Sequence, residues 1–197
     1  MVKALDRLRS RKKATSKDIP ICMDSALVVR KEQLTGKLGQ LKAKLKIRAD
    51  EQLEAQISEL EDELEEVRAE ILRASEWIRL TALAPDEYQD LLDSHKPTKE
   101  QIREARKLHG PRASLQWNTD TFPDAILVEC ASVLTVKEFD PETDRPVFQG
   151  DGEKFTDEFV KEMRKEGLWN SAEVSTLVNA AMQVNESMSN IDAAGNG

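Results

Sequence analysis

The sequence predicts a mainly α protein: a long antiparallel coiled-coil helical hairpin, then a small C-terminal helical body carrying a short β-hairpin. Three observations point there. Leu53, Ile57, Leu60, Leu64, Val67, Ile71, Ala74 and Ile78 alternate steps of four and three, which is a coiled-coil seam. Aromatic residues are only 5% of the chain, too few for a large compact core and enough for helices with narrow apolar stripes. The charge is also sorted along the chain. Residues 1–48 hold 14 Lys/Arg against 4 Asp/Glu (+10), and residues 49–76 hold 2 against 11 (−9). Neighbouring segments of opposite charge suit one another as partners.

Taken in order, residues 1–23 read as a basic arm with a possible short helix over 2–13, ending in an extended stretch at Asp18–Met23. Pro20 disfavours helix at Ile19. Residues 24–84 are assigned to the helical hairpin. Asp24 or Ser25 caps the first arm, whose leucines fall at Leu27, Leu34, Leu38, Leu41 and Leu45. The connection at Ala49-Asp50 is short, so the arms fold back antiparallel. That register sets Leu45 against Leu53, Leu41 against Ile57, Leu38 against Leu60 and Leu34 against Leu64. Gly36 and Gly39 each cost about 1 kcal/mol relative to Ala, making the first arm the weaker one.

Residues 85–190 are assigned to the helical body. Pro85 opens a helix to about Ser94, and Thr98 with Gln101 forms a capping-box pattern for a helix stopped by Gly110. Asp120-Thr121-Phe122-Pro123 introduces an apolar helix to about Leu134. Near 133–149 an alternating run, Val133–Phe139, meets turn chemistry at Asp140–Asp144 and returns through Val147-Phe148, a β-hairpin. Phe155, Phe159 and Met163 stand at helical spacing before Gly167, and a last helix runs from Ser171 to about Met188. Residues 191–197 read as a flexible tail.

No catalytic constellation emerges, and the chain is expected not to be an enzyme. His95 and His109 have no second ligand at i+3 or i+4, and no nucleotide-binding or nucleophile-elbow motif is present. Asp140, Glu142 and Asp144 imitate the start of a calcium loop. Arg145 stands where glycine is needed and Asp151 where a bidentate Glu is expected, so no metal site is assigned. Cys22 and Cys130 form no pair motif, and no cofactor is expected. Lys3, Arg7, Arg9, Arg11, Lys12 and Lys13 lack interleaved aromatics, and an acidic chain of net charge −8 repels phosphate; nucleic acid is not an expected partner. No apolar run is long enough to span a membrane. Protein binding is left, with Trp117, Phe122, Trp169, Leu177 and Val184 as candidate contact residues. The sparse aromatic content also predicts a homo-oligomer, through the hairpin or the C-terminal helices.

Several stretches carry a family resemblance. They are Ala4-Leu5-Asp6-Arg7-Leu8-x-Ser10-Arg11-Lys12-Lys13-Ala14, then Trp117-Asn118-x-Asp120-Thr121-Phe122-Pro123 with the apolar helix containing Cys130. Gly167-Leu168-Trp169 and Asn179-Ala180-Ala181-x-x-Val184-Asn185 complete the order. In this order the chain resembles the tail assembly chaperones of long-tailed (siphovirus-type) actinobacteriophages. Residues 135–154 depart from the family pattern, being longer than the link expected there. The resemblance implies a non-catalytic chaperone in the host cell cytoplasm, which binds the phage tape-measure protein and delivers it to the tail-tube protein. The alternative is a structural or scaffold component of a virion that uses the coiled-coil hairpin for oligomerisation.

Overall fold

The computed structural model describes residues 15–47 and 50–194. The arm at 2–13, Arg48 and Ala49 of the hairpin connection, and the last three residues of the tail lie outside them. The described order is β1 (Ser16–Cys22), α1 (Ser25–Ile47), α2 (Glu51–Arg73), β2 (Ser75–Thr81), α3 (Pro85–Ser94) and α4 (Lys99–His109). It continues with α5 (Phe122–Cys130), β3 (Ala131–Phe139), β4 (Pro146–Lys154), α6 (Asp157–Lys165) and α7 (Ser171–Ala194). The strands form one antiparallel sheet in the order β1-β2-β3-β4.

This sheet overturns the mainly α expectation. A four-stranded sheet is more than a short β-hairpin attached to a helical body. Two segments that match the helical pattern belong to the sheet instead. Ala74 and Ile78 continue the four-three spacing of the seam, yet the helix stops at Arg73. There Ser75 Oγ donates to Ile71 O (2.6 Å) and Trp77 Nε1 to Leu72 O (3.4 Å), occupying carbonyls that a helix end leaves without partners. Ile78 and Leu80 are then buried in β2. The apolar helix expected to reach Leu134 likewise ends at Cys130, and Ala131 is already extended. The last helix continues past Met188 into the segment expected as tail.

Register along β1 and β2 is set at both ends. Met23 N donates to Ala74 O (3.3 Å) and Ala82 N to Thr15 O (2.8 Å). Asp18 therefore faces Arg79, whose Nε and Nη2 donate to Oδ1 (2.8 Å) and Oδ2 (2.9 Å) as a fork. Pro20 sits in β1, at the edge of the sheet, where a missing N–H is tolerated.

The chain divides into two compact units that interleave along the sequence. One comprises Pro20–Trp77 and Val136–Phe148. Its core is the facing stripe of α1 and α2: Leu34, Leu38, Ile57, Leu64 and Val67, with Leu41, Leu45, Leu60 and Ile71 packed against it. Asp24 Oδ1 accepts from Ala26 N (2.9 Å), and Asp50 Oδ1 from Gln52 N (3.0 Å), so both helices are N-capped by aspartate. Arg30 pairs with Glu63 (2.9 Å) and Lys42 with Glu61 (2.7 Å) across the hairpin.

In the same unit, Trp77 and Phe148 meet edge-on with ring centroids 5.6 Å apart, and Arg73 pairs with Asp144 at 2.9 Å. The acidic turn is organised by its own hydrogen bonds. Asp140 Oδ1 accepts from the backbone N–H of Glu142 and of Thr143, both at 2.9 Å. Those bonds favour the ionised form and hold the Asp140 carboxyl below its ordinary range, Thr143 contributing most. A depressed folded value means that the turn keeps its full contribution above about pH 3.9, the ordinary Asp value. It loses that contribution as pH falls through the folded value. NMR titration of Asp140 should give a midpoint below about 3.9; a midpoint at or above it would contradict the turn geometry.

Among the described residues, the other unit comprises 15–19, Ile78–Thr135 and 149–194. Phe122, Ile78, Leu80, Ile126, Leu127, Leu134, Val160 and Leu177 are fully buried in it. Thr98 and Gln101 close the capping box of α4, and Gly110 (φ 97) ends that helix. Asn185 is a buried polar residue with its groups satisfied: Oδ1 accepts from Leu83 N (2.8 Å) and Nδ2 donates to Ala181 O (2.8 Å). It also faces Cys130 Sγ at 3.4 Å, while burial pushes the Cys130 thiol up.

Candidate protein-binding groove

Three separated stretches come together on one face of the second unit. Trp117 forms one wall, its ring 5.1 Å from that of Phe122. Its loop is held from beneath. Asn118 N donates to His95 O (2.7 Å), and Gln101 Nε2 lies 3.0 Å from each of Asn118 Oδ1, Thr119 Oγ1 and Asp120 Oδ2. His95 Nδ1 is in turn 2.8 Å from Thr121 Oγ1, so this histidine braces the loop.

Trp169 forms the opposite wall. It stacks on Phe155 at 5.5 Å and meets Phe159 edge-on at 5.8 Å. Gly167 (φ 66) lets the chain reverse after α6, and the N–H groups of Leu168 and Trp169 both reach Met163 O. Asn170 Oδ1 then accepts from Ala172 N (2.9 Å) and Glu173 N (3.0 Å), starting α7. Val174 and Val178 of α7 form an apolar floor, with Ser171, Ser175 and Asn179 beside them and Pro123 at the rim. Arg164 also lines the space. Its Nη2 makes a close ion contact with Asp124 Oδ1 at 2.5 Å, outside hydrogen-bond alignment.

The groove encloses about 530 Å³. Aromatic walls and a valine floor suit apolar side chains, and the hydroxyls and amide at the edge can hydrogen-bond a polar backbone or rim. No nucleophile stands beside a base along its lining. Among the described residues, no group of three or more His, Cys, Asp or Glu could hold a metal ion, and no helix is long and apolar enough to cross a membrane.

The five sequence candidates separate here. Trp117 is half-buried and Trp169 is buried, at 6% exposed; both line the groove. Phe122 (0%), Leu177 (0%) and Val184 (5%) do not: they are core. Val174 and Val178 had a readable signal, an i, i+4 pair one step around α7 from Leu177. Pro123 and Arg164 had none.

No protein-family model, no curated protein and no solved structure matches this chain.

Proposed function

We propose that the protein is a phage tail assembly chaperone of the host cell cytoplasm, which binds the tape-measure protein and promotes its assembly with the tail-tube protein. One observation carries the reading. The stretches Trp117–Pro123, Gly167–Trp169 and Asn179–Asn185 bear the family resemblance, and they contribute Trp117, Thr119, Pro123, Trp169 and Asn179 to a single apolar groove. A tape-measure protein is a very long helical chain whose apolar stripes aggregate when uncovered. A groove with aromatic walls accepts such a stripe as helix-in-groove recognition does. The acidic surface of a −8 chain keeps the complex soluble. Binding and release of this kind require no catalysis.

Co-expression should keep the cognate tape-measure protein soluble and co-purify with it. Val174→Arg fills the floor from a partly exposed position and should reduce recovery of the complex at least about tenfold, a change of roughly 1.4 kcal/mol. The variant's circular dichroism should be unchanged. A tape-measure protein that stays insoluble beside the wild-type chain would sink the reading. Abundant protein in purified mature particles would favour the structural or scaffold component instead.

A further inference from the structure

The helical hairpin carries a face that the groove does not explain. In α1, Arg30, Lys37 and Lys44 recur every seven residues on one flank of the seam. In α2, Glu63 and Glu70 recur likewise on the same flank, and both reach Arg30, at 2.9 and 3.8 Å. Glu59 and Glu66 form a second acidic row just outside them. Nearer the hairpin tip the match fails. The next residue of the inner α2 row is Gln56, which is neutral, and among the described residues Lys37, Lys44, Glu59 and Glu66 form no ion pair.

The seam opens toward the hairpin tip. Away from the tip on that flank, Leu34 and Val67 are buried. Leu41, Leu53 and Leu60, which flank the basic and acidic rows, are only partly buried. At the end of α1, on the same face, Ile47 is 88% exposed. The distal half of the hairpin thus presents a leucine strip bordered by a basic row on one side and an acidic row on the other.

Such a surface is complementary to itself. Turned by a two-fold axis, the basic row of one copy lies on the acidic row of the next, and the two leucine strips meet between them. We propose that this face is a docking surface for a second copy of the chain, giving an antiparallel four-helix dimer in which α1 of each copy packs against α2 of the other. Exposed ion pairs are individually weak, so the leucines supply the attraction and the charges select orientation and partner. The inference does not rest on the chaperone reading, since it concerns residues remote in sequence from the groove.

Sedimentation equilibrium of the full chain should show a dimer in low-salt buffer. Its dissociation constant should rise at least about tenfold in about 1 M salt, where the screening length is short. The doubly substituted chain Lys37→Glu, Lys44→Glu should be monomeric, as should Glu59→Lys, Glu66→Lys. Mixing the two should restore a dimer, because the swapped rows again face opposite charge. Circular dichroism checks that each stays helical. Should a swap lose helicity, the milder Lys37→Gln, Lys44→Gln chain carries the test and should weaken the dimer. A wild-type monomer across tens of micromolar in low salt overturns the proposal. A dimer indifferent to every one of these substitutions does so equally.

Discussion

Replacing Phe122 by Ala is expected to destabilise the protein by about 3–5 kcal/mol, the range for deleting a buried aromatic ring. Phe122 has no exposed surface and opens α5. Its ring meets Trp117 at 5.1 Å and His95 at 6.3 Å, so one side chain joins α5, the Trp117 loop and the end of α3. The cavity would sit among elements held by their own hydrogen bonds, which limits collapse and keeps the cost high. Urea unfolding should show a lower midpoint with an unchanged slope. Trp117→Ala, at a half-buried wall, should cost about half as much or less. A Phe122→Ala loss under about 1 kcal/mol would mean that the ring is not the anchor described.

Gly152→Ala is expected to be comparably damaging, at about 2–5 kcal/mol from left-handed strain and overpacking together. Gly152 lies in β4 at φ 86, where an added Cβ would stand 2.5 Å from Val133 O and 3.0 Å from Leu134 Cδ2. The obstruction is backbone of the neighbouring strand, which cannot step aside without breaking the pairing. Gly150 is the internal control: it shares the left-handed conformation (φ 70), but an added Cβ meets nothing within 4 Å. Gly150→Ala should therefore cost only the conformational part, about 1 kcal/mol. Equal losses at the two positions, measured by thermal or urea unfolding, would remove the steric argument and leave only the backbone one.

That pair of glycines also shows how sequence and structure divide the information. A hairpin near residues 133–149 is readable from alternation and from Asp140–Asp144, because turn chemistry is local. The need for glycine at 152 is not, because it arises from a carbonyl nineteen residues earlier in the chain. The leucine pattern of α1 and α2 is legible for the same local reason: a four-three spacing can face one partner helix only. Its end is not legible. Ala74 and Ile78 satisfy the helical period as well as Leu64 or Val67 do, and what removes them from the helix is the sheet.

The groove divides in the same way. Trp117 and Trp169 are conspicuous in a chain with few aromatics, and both line it. Phe122, Leu177 and Val184 look equally apolar in sequence, yet burial claims them for the core. Hydrophobicity reports that a residue avoids water, and it does not say whether another part of the chain or a partner will cover it.

By itself, then, the sequence determined the features that depend on neighbours within a turn or two. These are the helical stripes and their opposite charges, the aspartate and threonine caps, the Gly110 and Gly167 stops and the acidic turn. Only the tertiary structure decided what depends on contacts between distant segments. Strands β1 and β2 acquire their identity by pairing residues 15–23 with 74–82, and an isolated seven-residue stretch carries too little period-two signal to announce it. Asn185 and Cys130 meet across helices far apart in the chain, and the groove exists because the Trp117–Pro123 and Arg164–Trp169 stretches close on α7. Local preference is written every few residues, whereas the free energy that chooses among compatible preferences comes from burial, which no single segment can supply alone.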